Sequence, residues 1–178
     1  MKTQSEIRLK ILKVRNALNK AEVINASKII EQKFLSLSEI KDKTNYFVYN
    51  SFKNEVQTSG IISALKSDGK TVSCPLIKGD DMLAVIPTST DFILDKFGIK
   101  TPKNYDLAQN IEVGIIPLIA CDTLKNRIGF GKGYYDKFLK DKNILKIGLC
   151  YDFQVVDGIV KNECDVPLDI IITETKII

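Results

Sequence analysis

The 178-residue sequence contains no histidine. Histidine is the side chain that most often transfers protons near neutral pH, and it is also a common zinc ligand. Its absence excludes serine–histidine–aspartate and cysteine–histidine catalysis, and also the zinc proteases that carry two histidines on one helix. Any enzymatic reaction of this chain must therefore use other groups.

Cysteine is scarce and scattered. The four cysteines are Cys74, Cys121, Cys150 and Cys164. No two of them have the close spacing of zinc ribbons or of thioredoxin-like redox motifs, so neither kind of site is expected. We expect them to be buried, reduced thiols.

Long apolar runs are missing as well. No stretch of the sequence approaches the roughly 18 consecutive apolar residues of a membrane span. The first residues alternate charged with apolar side chains and offer no signal-peptide core. These features predict a cytoplasmic protein without a membrane partner.

The rest of the composition is typical of a folded protein, with 44% hydrophobic and 27% charged residues. The length predicts a single domain over residues 1–178. A formal net charge of +4 favours anionic ligands such as phosphate groups. It is too small to predict a nucleic-acid partner.

Helical periodicity is clear near the start of the chain. Apolar residues at spacings of three and four predict an amphipathic first helix. We expect its side chains to form two faces, with Ile7, Ile11, Val14 and Leu18 inside and Arg8, Lys10, Lys13 and Arg15 outside. Asn19 and Glu22 have the spacing of a capping box, which predicts a second helix. A third helix is expected between Thr58 or Ser59 and the Asp68-Gly69 pair.

Short apolar runs alternate with helices and predict an α/β fold. The run at 46–49 is expected to start the sheet. Further strands are expected at 71–74, 83–86, 113–116, 145–149 and 170–173. Several of these runs are almost entirely apolar, as in strands covered on both faces. Residues 87–110 have a weaker pattern, which predicts either a binding loop or lid, or a surface excursion with one short strand.

The strongest functional signal lies in residues 122–136. Gly129, Gly131 and Gly133 alternate with other residues, between a strand expected to end near Ala120 and a helix expected to begin near Tyr134. Backbone N–H groups of such a loop can converge on an anion, and the following helix N-terminus adds partial positive charge.

Arg127 and Lys132 add full charges to this segment. The spacing is not that of a P-loop, because Asn126 stands where the first glycine is required. It is not the dinucleotide-binding pattern either, because Tyr134 stands at the third glycine position. We therefore predict anion binding, with a tight surface turn as the structural alternative.

Acidic residues follow the glycines. Asp136 is expected just inside the helix, where it could stabilise the helix dipole or bind a divalent cation beside phosphates. Asp165 and Asp169 flank a proline turn before the last strand, and such residues usually shape turns. Asp165 becomes a candidate metal ligand only if it lies near the glycine loop.

These motifs resemble the 5-formyltetrahydrofolate cyclo-ligase family, also called methenyltetrahydrofolate synthetases. The resemblance extends over nearly the whole chain. It is carried by residues 127–136, Phe138-Leu139, 147–149 and 165–169 with Thr173-Glu174, and also by the basic first helix, residues 54–58, Phe97-Gly98-Ile99 and Pro117-Leu118.

The resemblance implies a three-layer α/β sandwich with a central, largely parallel sheet flanked by helices. It implies an ATP-dependent, magnesium-requiring cyclisation of 5-formyltetrahydrofolate, with or without a polyglutamate tail, to 5,10-methenyltetrahydrofolate. No obligatory protein partner is evident from the sequence.

The resemblance also implies roles for individual residues. ATP would be bound by Arg8 and by Arg127, Ile128, Gly129, Phe130, Gly131, Lys132, Gly133, Tyr134 and Tyr135. The folate would contact Asn50, Glu55, Phe130, Gly131, Lys132, Gly133 and Tyr134. Asp136 and Asp165 would hold Mg²⁺, and Arg127, Lys132 and Tyr134 would be the catalytic residues.

Three positions differ from the family pattern. Gln4 stands where members often have lysine, and Lys2 or Lys10 could replace that charge. Cys164 stands where bacterial relatives frequently have histidine, and Thr101 stands where an acidic residue is common.

Two other functions stay open from the residues alone. Similar α/β folds serve sugar-phosphate isomerases and coenzyme A transferases, and fold alone does not choose between them. The basic first helix could also bind RNA through Arg8, Lys13 and Arg15, with a steep dependence on salt.

Overall fold

The computed structural model describes residues 3–94 and 98–178. Lys2 and Phe97, which belong to the predictions above, lie outside the described residues. The described chain has an α/β fold in which a seven-stranded sheet carries helices on both faces. The predicted three-layer architecture is confirmed.

The elements have the following bounds. The helices are α1 (Gln4–Ala17), α2 (Lys20–Leu35), α3 (Ser59–Ser67) and α4 (Tyr134–Leu139). The strands are β1 (Asn45–Val48), β2 (Thr71–Lys78), β3 (Asp81–Pro87), β4 (Phe92–Leu94), β5 (Lys100–Pro102), β6 (Tyr105–Leu107), β7 (Val113–Ile116), β8 (Ala120–Asp122), β9 (Arg127–Ile128), β10 (Leu145–Leu149), β11 (Val155–Val156) and β12 (Ile170–Ile172).

The central sheet has the strand order β12-β10-β7-β1-β2-β3-β6. Pairs from β12 to β2 are parallel, and β3 and β6 extend the sheet with antiparallel pairs. After β1 the chain builds one side of the sheet through β2, and it later returns to the other side through β7. The strand order therefore reverses between β1 and β7.

The core follows from the alternation of side chains along the strands. Tyr46 and Val48 of β1 face α2 and α3, whereas Phe47 faces the opposite layer, which contains α4. Helix α1 packs mainly on a smaller sheet of β11, β8 and β9, against which it buries Ile7 and Ile11.

The predicted inner face of α1 is only partly right. Ile7 and Ile11 are buried, but Val14 is 42% exposed, whereas Arg15, which was expected outside, is only 3% exposed. Ile7, Ile11 and Arg15 are four residues apart and so share one helix face. Arg15 can occupy that face because its guanidinium group has polar partners beneath the helix.

The predicted helix ends are mostly confirmed. Asn19 and Glu22 form the predicted capping box at the start of α2. Thr58 precedes α3, but its hydroxyl donates to the Tyr49 carbonyl and does not cap the helix. Gly69 follows α3 with φ at +72°, the conformation expected of a glycine at a helix end.

Residues 87–110 are more regular than either alternative predicted. The described part forms two antiparallel strands, β4 and β5, and the strand β6, which pairs with β3 at the edge of the central sheet. Strand β5 contacts the segment after β1, because the Asn50 side-chain amide donates to the Lys100 carbonyl at 3.0 Å.

Three of the four free cysteines are buried, but Cys164 is exposed, so its predicted burial is wrong. Cys164 lies in the loop before β12. Within the described residues, no helix has both the length and the hydropathy required to cross a membrane.

Gly148 in β10 leaves no room for a side chain. A Cβ atom there would lie 2.5 Å from Cδ1 of Leu168 and 2.8 Å from Cδ2 of Leu118. We predict that Gly148→Ala lowers the free energy of unfolding by about 1–3 kcal/mol through overpacking. Gly158→Ala is the matched control, since nothing lies within 4 Å of its added Cβ. Urea unfolding measures both variants, and equal stabilities would contradict the packing argument.

Candidate functional site

The candidate site residues lie in segments that follow two neighbouring strands of the central sheet. Residues 49–58 follow β1 and residues 117–133 follow β7. These strands are adjacent and parallel, with Phe47 opposite Gly114. The candidate site therefore lies where the strand order reverses, which is the position at which open α/β sheets bind ligands.

The glycine loop, residues 129–133, is presented by the β8–β9 hairpin. The strand expected to end near Ala120 is in fact two strands, since β7 ends at Ile116 and Ala120 begins β8. Asp122 stabilises the hairpin turn by accepting hydrogen bonds from the backbone and side-chain N–H groups of Asn126 at 2.9 and 3.0 Å. The hairpin thereby fixes where the loop starts.

The loop has the bent backbone that its composition predicts. Gly131 and Gly133 have φ values of +88° and +71°, a region that only glycine adopts without strain. Residues 130–133 are exposed, so their backbone is accessible to a ligand. Helix α4 has only six residues, which makes its dipole a smaller source of positive charge than predicted.

Arg8 of α1 reaches this loop. Its Nε donates to the Gly129 carbonyl at 2.8 Å. Its guanidinium group lies against Gly131, where a Cβ would be 3.4 Å from Nη2. Within the described residues, neither Arg8 nor the exposed Lys132 forms an ion pair with a carboxylate. Two unpaired cations at a glycine-rich backbone suit a polyanion such as a triphosphate.

Arg127 differs because its charge is paired. Its Nη2 donates to Oδ1 of Asp136 at 2.7 Å, and the two side chains are 2% and 22% exposed. Burial lowers the pKa of Arg127, and the Asp136 carboxylate opposes that shift. The same Oδ1 accepts the N–H of Val166 at 3.1 Å. The pair thus joins β9, α4 and the loop before β12.

Asp165 lies in the loop that contacts this pair. Its Oδ2 accepts hydrogen bonds from the Gln4 side-chain amide at 3.0 Å and from the Asn162 backbone N–H at 2.8 Å. Gln4 therefore contacts a predicted metal ligand although it lacks the positive charge expected at its position.

The two aspartates fit a hard divalent cation. Each has one oxygen with protein partners, and within the described chain Oδ2 of Asp136 and Oδ1 of Asp165 accept no hydrogen bond. Mg²⁺ is typically held by one or two carboxylates together with phosphates of the substrate. The described residues contain no cluster of three or more acidic or cysteine side chains placed to hold a metal ion.

The other loop residues differ in accessibility. Ile128 is 1% exposed, so only its backbone can face a ligand, whereas Phe130 is 53% exposed. Tyr134 and Tyr135 are both half-buried. The Tyr135 ring packs against Phe47 with centroids 6.3 Å apart. Burial raises the pKa of Tyr135, so its hydroxyl stays uncharged.

Glu55 lies in the segment that follows β1 and is 6% exposed. Its Oε2 accepts the N–H of Phe52 at 2.9 Å, and Nη2 of Arg15 lies 3.9 Å from its Oε1. Burial raises the pKa of Glu55, whereas the Phe52 N–H and the Arg15 charge lower it. Asn50 is half-buried nearby.

Arg15 is the site residue that the sequence interpretation misplaced. Its Cζ lies 5.6 Å from the centroid of the Phe130 ring, and its Nη1 donates to the Leu118 carbonyl at 3.2 Å. The signal was present in the sequence, since Arg15 follows the buried Ile11 by one helical turn. Arg8 and Arg15 therefore point towards the site, and of the residues proposed for RNA binding only Lys13 is exposed.

The two other positions that depart from the expected pattern lie at the edge of the site. Thr101 is buried in β5, and its hydroxyl donates to the Ile99 carbonyl at 3.4 Å. Cys164 is exposed beside Asp165. Of the possible replacements for the missing lysine, Lys10 is exposed on α1 and Lys2 is outside the described residues.

Comparison with known proteins gives a consistent result. Residues 1–174 match the model of the 5-formyltetrahydrofolate cyclo-ligase family. The chain is 31% identical to the 5-formyltetrahydrofolate cyclo-ligase of Haemophilus influenzae, with 94% of this chain and 97% of the relative covered. It is 32% identical to the enzyme of the same name from Mycoplasma genitalium, with 97% and 98% covered.

Two solved structures are similar over almost their full length. The 5,10-methenyltetrahydrofolate synthetase of Aquifex aeolicus has a TM-score of 0.87 and 29% identity, over 98% of this chain and 91% of that one. The corresponding synthetase of Mycoplasma pneumoniae has a TM-score of 0.79 and 27% identity, over 96% and 98%.

The Arg127–Asp136 pair leads to a stability prediction. Asp136→Asn removes the counter-charge of a buried guanidinium group, so we expect the free energy of unfolding to fall by about 1–3 kcal/mol, less than for a fully buried pair because Asp136 is partly exposed. Lys132→Ala is the control, because Lys132 is exposed and unpaired in the described chain, and we expect its stability to be unchanged. Urea unfolding tests both variants, and an unaltered Asp136→Asn protein would contradict a stabilising role for the pair.

Proposed function

The chain belongs to the 5-formyltetrahydrofolate cyclo-ligase family, and on this basis we propose that it uses ATP and Mg²⁺ to cyclise 5-formyltetrahydrofolate to 5,10-methenyltetrahydrofolate. ADP and phosphate are the other products. The proposed site of action is the cytoplasm.

One structural observation supports the proposal independently of family membership. A cationic glycine loop after β7 and a buried carboxylate, Glu55, after β1 lie where the strand order reverses. The loop suits a nucleotide triphosphate, and a carboxylate can accept two parallel N–H donors, such as those of a pterin ring. Arg15 contacts both the loop and Glu55.

The chemistry does not require histidine. A formamide oxygen is a poor leaving group, but transfer of the γ-phosphoryl group of ATP to that oxygen turns it into phosphate, which leaves readily. Phosphoryl transfer depends chiefly on positioning and on neutralisation of charge. The second folate nitrogen then attacks within the same molecule, where effective molarities reach about 10⁵ M or more.

The proposed roles follow the geometry of each side chain. Of the cations assigned to the site, Arg8 and Lys132 have no ion-pair partner in the described chain, so they are suited to bind the phosphates and to neutralise charge during transfer. Arg127 is already paired with Asp136 and orients the glycine loop and α4. Tyr134, half-buried at the start of α4, is the third proposed catalytic residue, and its hydroxyl lies 3.5 Å from the Gly79 carbonyl.

The proposed magnesium site uses Asp136 and Asp165. The cation would supply charge neutralisation to the transferred phosphoryl group. The two aspartates reach this site from α4 and from the loop before β12, and Gln4 orients Asp165 through its side-chain amide.

An absorbance assay tests the proposal. Purified protein with 5-formyltetrahydrofolate, ATP and Mg²⁺ should develop the near-ultraviolet band of the conjugated methenyl product, and no band should form without ATP or without Mg²⁺. We expect Lys132→Ala to lose at least about a hundredfold in turnover, because an electrostatic contact to the transferring group is removed. A folded wild-type protein that forms no product would refute the proposal and favour the phosphosugar alternative. Unchanged turnover in Lys132→Ala would remove Lys132 from the mechanism.

Glu55→Gln separates folate binding from nucleotide binding. The amide keeps the size of the side chain but offers only one acceptor oxygen, so we expect the Kd for 5-formyltetrahydrofolate to rise by about tenfold or more, as for loss of a charged hydrogen bond. The Kd for ATP should change little. Isothermal titration calorimetry measures both ligands, and equal losses for the two would show that Glu55 has a structural role.

A further inference from the structure

Arg15 has no role in the site as predicted from the sequence, yet its environment is unusual. The side chain is 4% exposed, and its guanidinium group lies among three segments of the site. It contacts the Leu118 carbonyl after β7, the Glu55 carboxylate after β1 and the ring of Phe130 in the glycine loop.

These contacts do not use all the hydrogen-bond donors of the Arg15 guanidinium group. Its buried Nε has no hydrogen-bond partner among the residues that the structure describes. The approach of Nη2 to Oε1 of Glu55, at 3.9 Å, is an ion pair and is too long for a hydrogen bond. A side chain required only for packing could be replaced by a better-packed apolar residue, because burial of a charge is costly. The arrangement instead supplies a fixed positive charge beside a fixed negative one.

Glu55 also has unused hydrogen-bonding capacity. Its Oε2 is held by the Phe52 N–H, whereas its Oε1 accepts no hydrogen bond among the described residues. One oxygen is thus anchored and the other is available to a ligand. Arg15 is close enough to stabilise the ionised form of this carboxylate but does not occupy its free oxygen.

We propose that Arg15 is a positioning residue, which acts through Glu55 by keeping the carboxylate ionised and oriented for the folate. The inference rests on the proposed function, since Glu55 is the predicted folate acceptor. Arg15 also contacts the ring of Phe130. The same guanidinium group therefore connects Glu55, the proposed folate acceptor, with the glycine loop.

The titratable groups that face Glu55 support this role. They come from four elements: Arg15 of α1, Tyr49 after β1, Tyr135 of α4 and Tyr151 after β10. Burial raises the pKa of all three tyrosines, Tyr151 to about 12, so none of them changes charge between pH 5 and 8. Arg15 is therefore the cation that offsets the effect of burial on the pKa of Glu55.

The first measurement needs no folate. Carbon-13 NMR of protein labelled at the glutamate carboxyl carbons follows the titration of Glu55, with Glu55→Gln used for assignment. In Arg15→Met, we expect the pKa of Glu55 to rise by about one unit relative to wild type, because the charge that opposes desolvation is removed and only the Phe52 N–H still opposes it. Arg15→Lys keeps the charge and should stay close to wild type. An unchanged pKa in Arg15→Met would overturn the proposal.

The second measurement is the Kd for 5-formyltetrahydrofolate between pH 5.5 and 8, by calorimetry. In Arg15→Met, affinity should fall about tenfold for each pH unit below the raised pKa, since one proton must be released for binding. A merely structural defect would lower affinity by one factor at every pH, and that result would also overturn the proposal. Wild-type protein that binds no folate would refute the proposed function, while the NMR titration would still decide the link between Arg15 and Glu55.

A double variant tests the proposal even if Arg15→Met alone does not fold. Arg15→Met combined with Glu55→Gln buries no unpaired carboxylate, so it should remain folded. If Arg15 acts through Glu55, this double variant should bind folate within about twofold of Glu55→Gln alone, because the two substitutions remove the same interaction. A further large loss in the double variant would contradict the proposal.

Discussion

A buried guanidinium group must have a counter-charge or polar partners, and this requirement organises the site. Arg127 is almost fully enclosed, and Asp136 supplies its partner from the first turn of α4. Because Asp136 also accepts the Val166 N–H, one carboxylate holds together the β8–β9 hairpin, α4 and the loop that carries Asp165. The glycine loop lies between two of these anchored segments. Its backbone can bend at Gly131 and Gly133 because the segments on either side of it are anchored.

The central sheet could be predicted from the sequence because its strands are covered on both faces. The bounds of β7 and β10 match the predicted runs at 113–116 and 145–149, in which Lys146 is the single charged residue. The prediction was poorer where local patterns are weak. Residues 87–110 contain strands of three residues, whose pairing with β3 and with each other depends on contacts that no local window reveals.

The candidate site was predictable in part. The glycine loop was found because glycine spacing is a local signal, and its positive φ angles are present. The residues that contact the loop were not predicted, because they come from distant parts of the chain. Gln4 meets Asp165 and Arg15 meets Glu55 only after α1 packs on the small sheet. The misassignment of Val14 and Arg15 has the same origin, since hydrophobicity alone does not predict a buried arginine whose partners lie on other elements.

The distribution of the thiols offers a practical route to observing the site. Cys74, Cys121 and Cys150 are buried, whereas Cys164 is exposed and adjoins Asp165 in the chain. A maleimide dye or a nitroxide would therefore attach at a single place, without any cysteine having to be removed first. A probe there would report on movements of the loop before β12 in real time. In a chain with no tryptophan, whose intrinsic fluorescence is correspondingly weak, such a reporter would give access to binding kinetics.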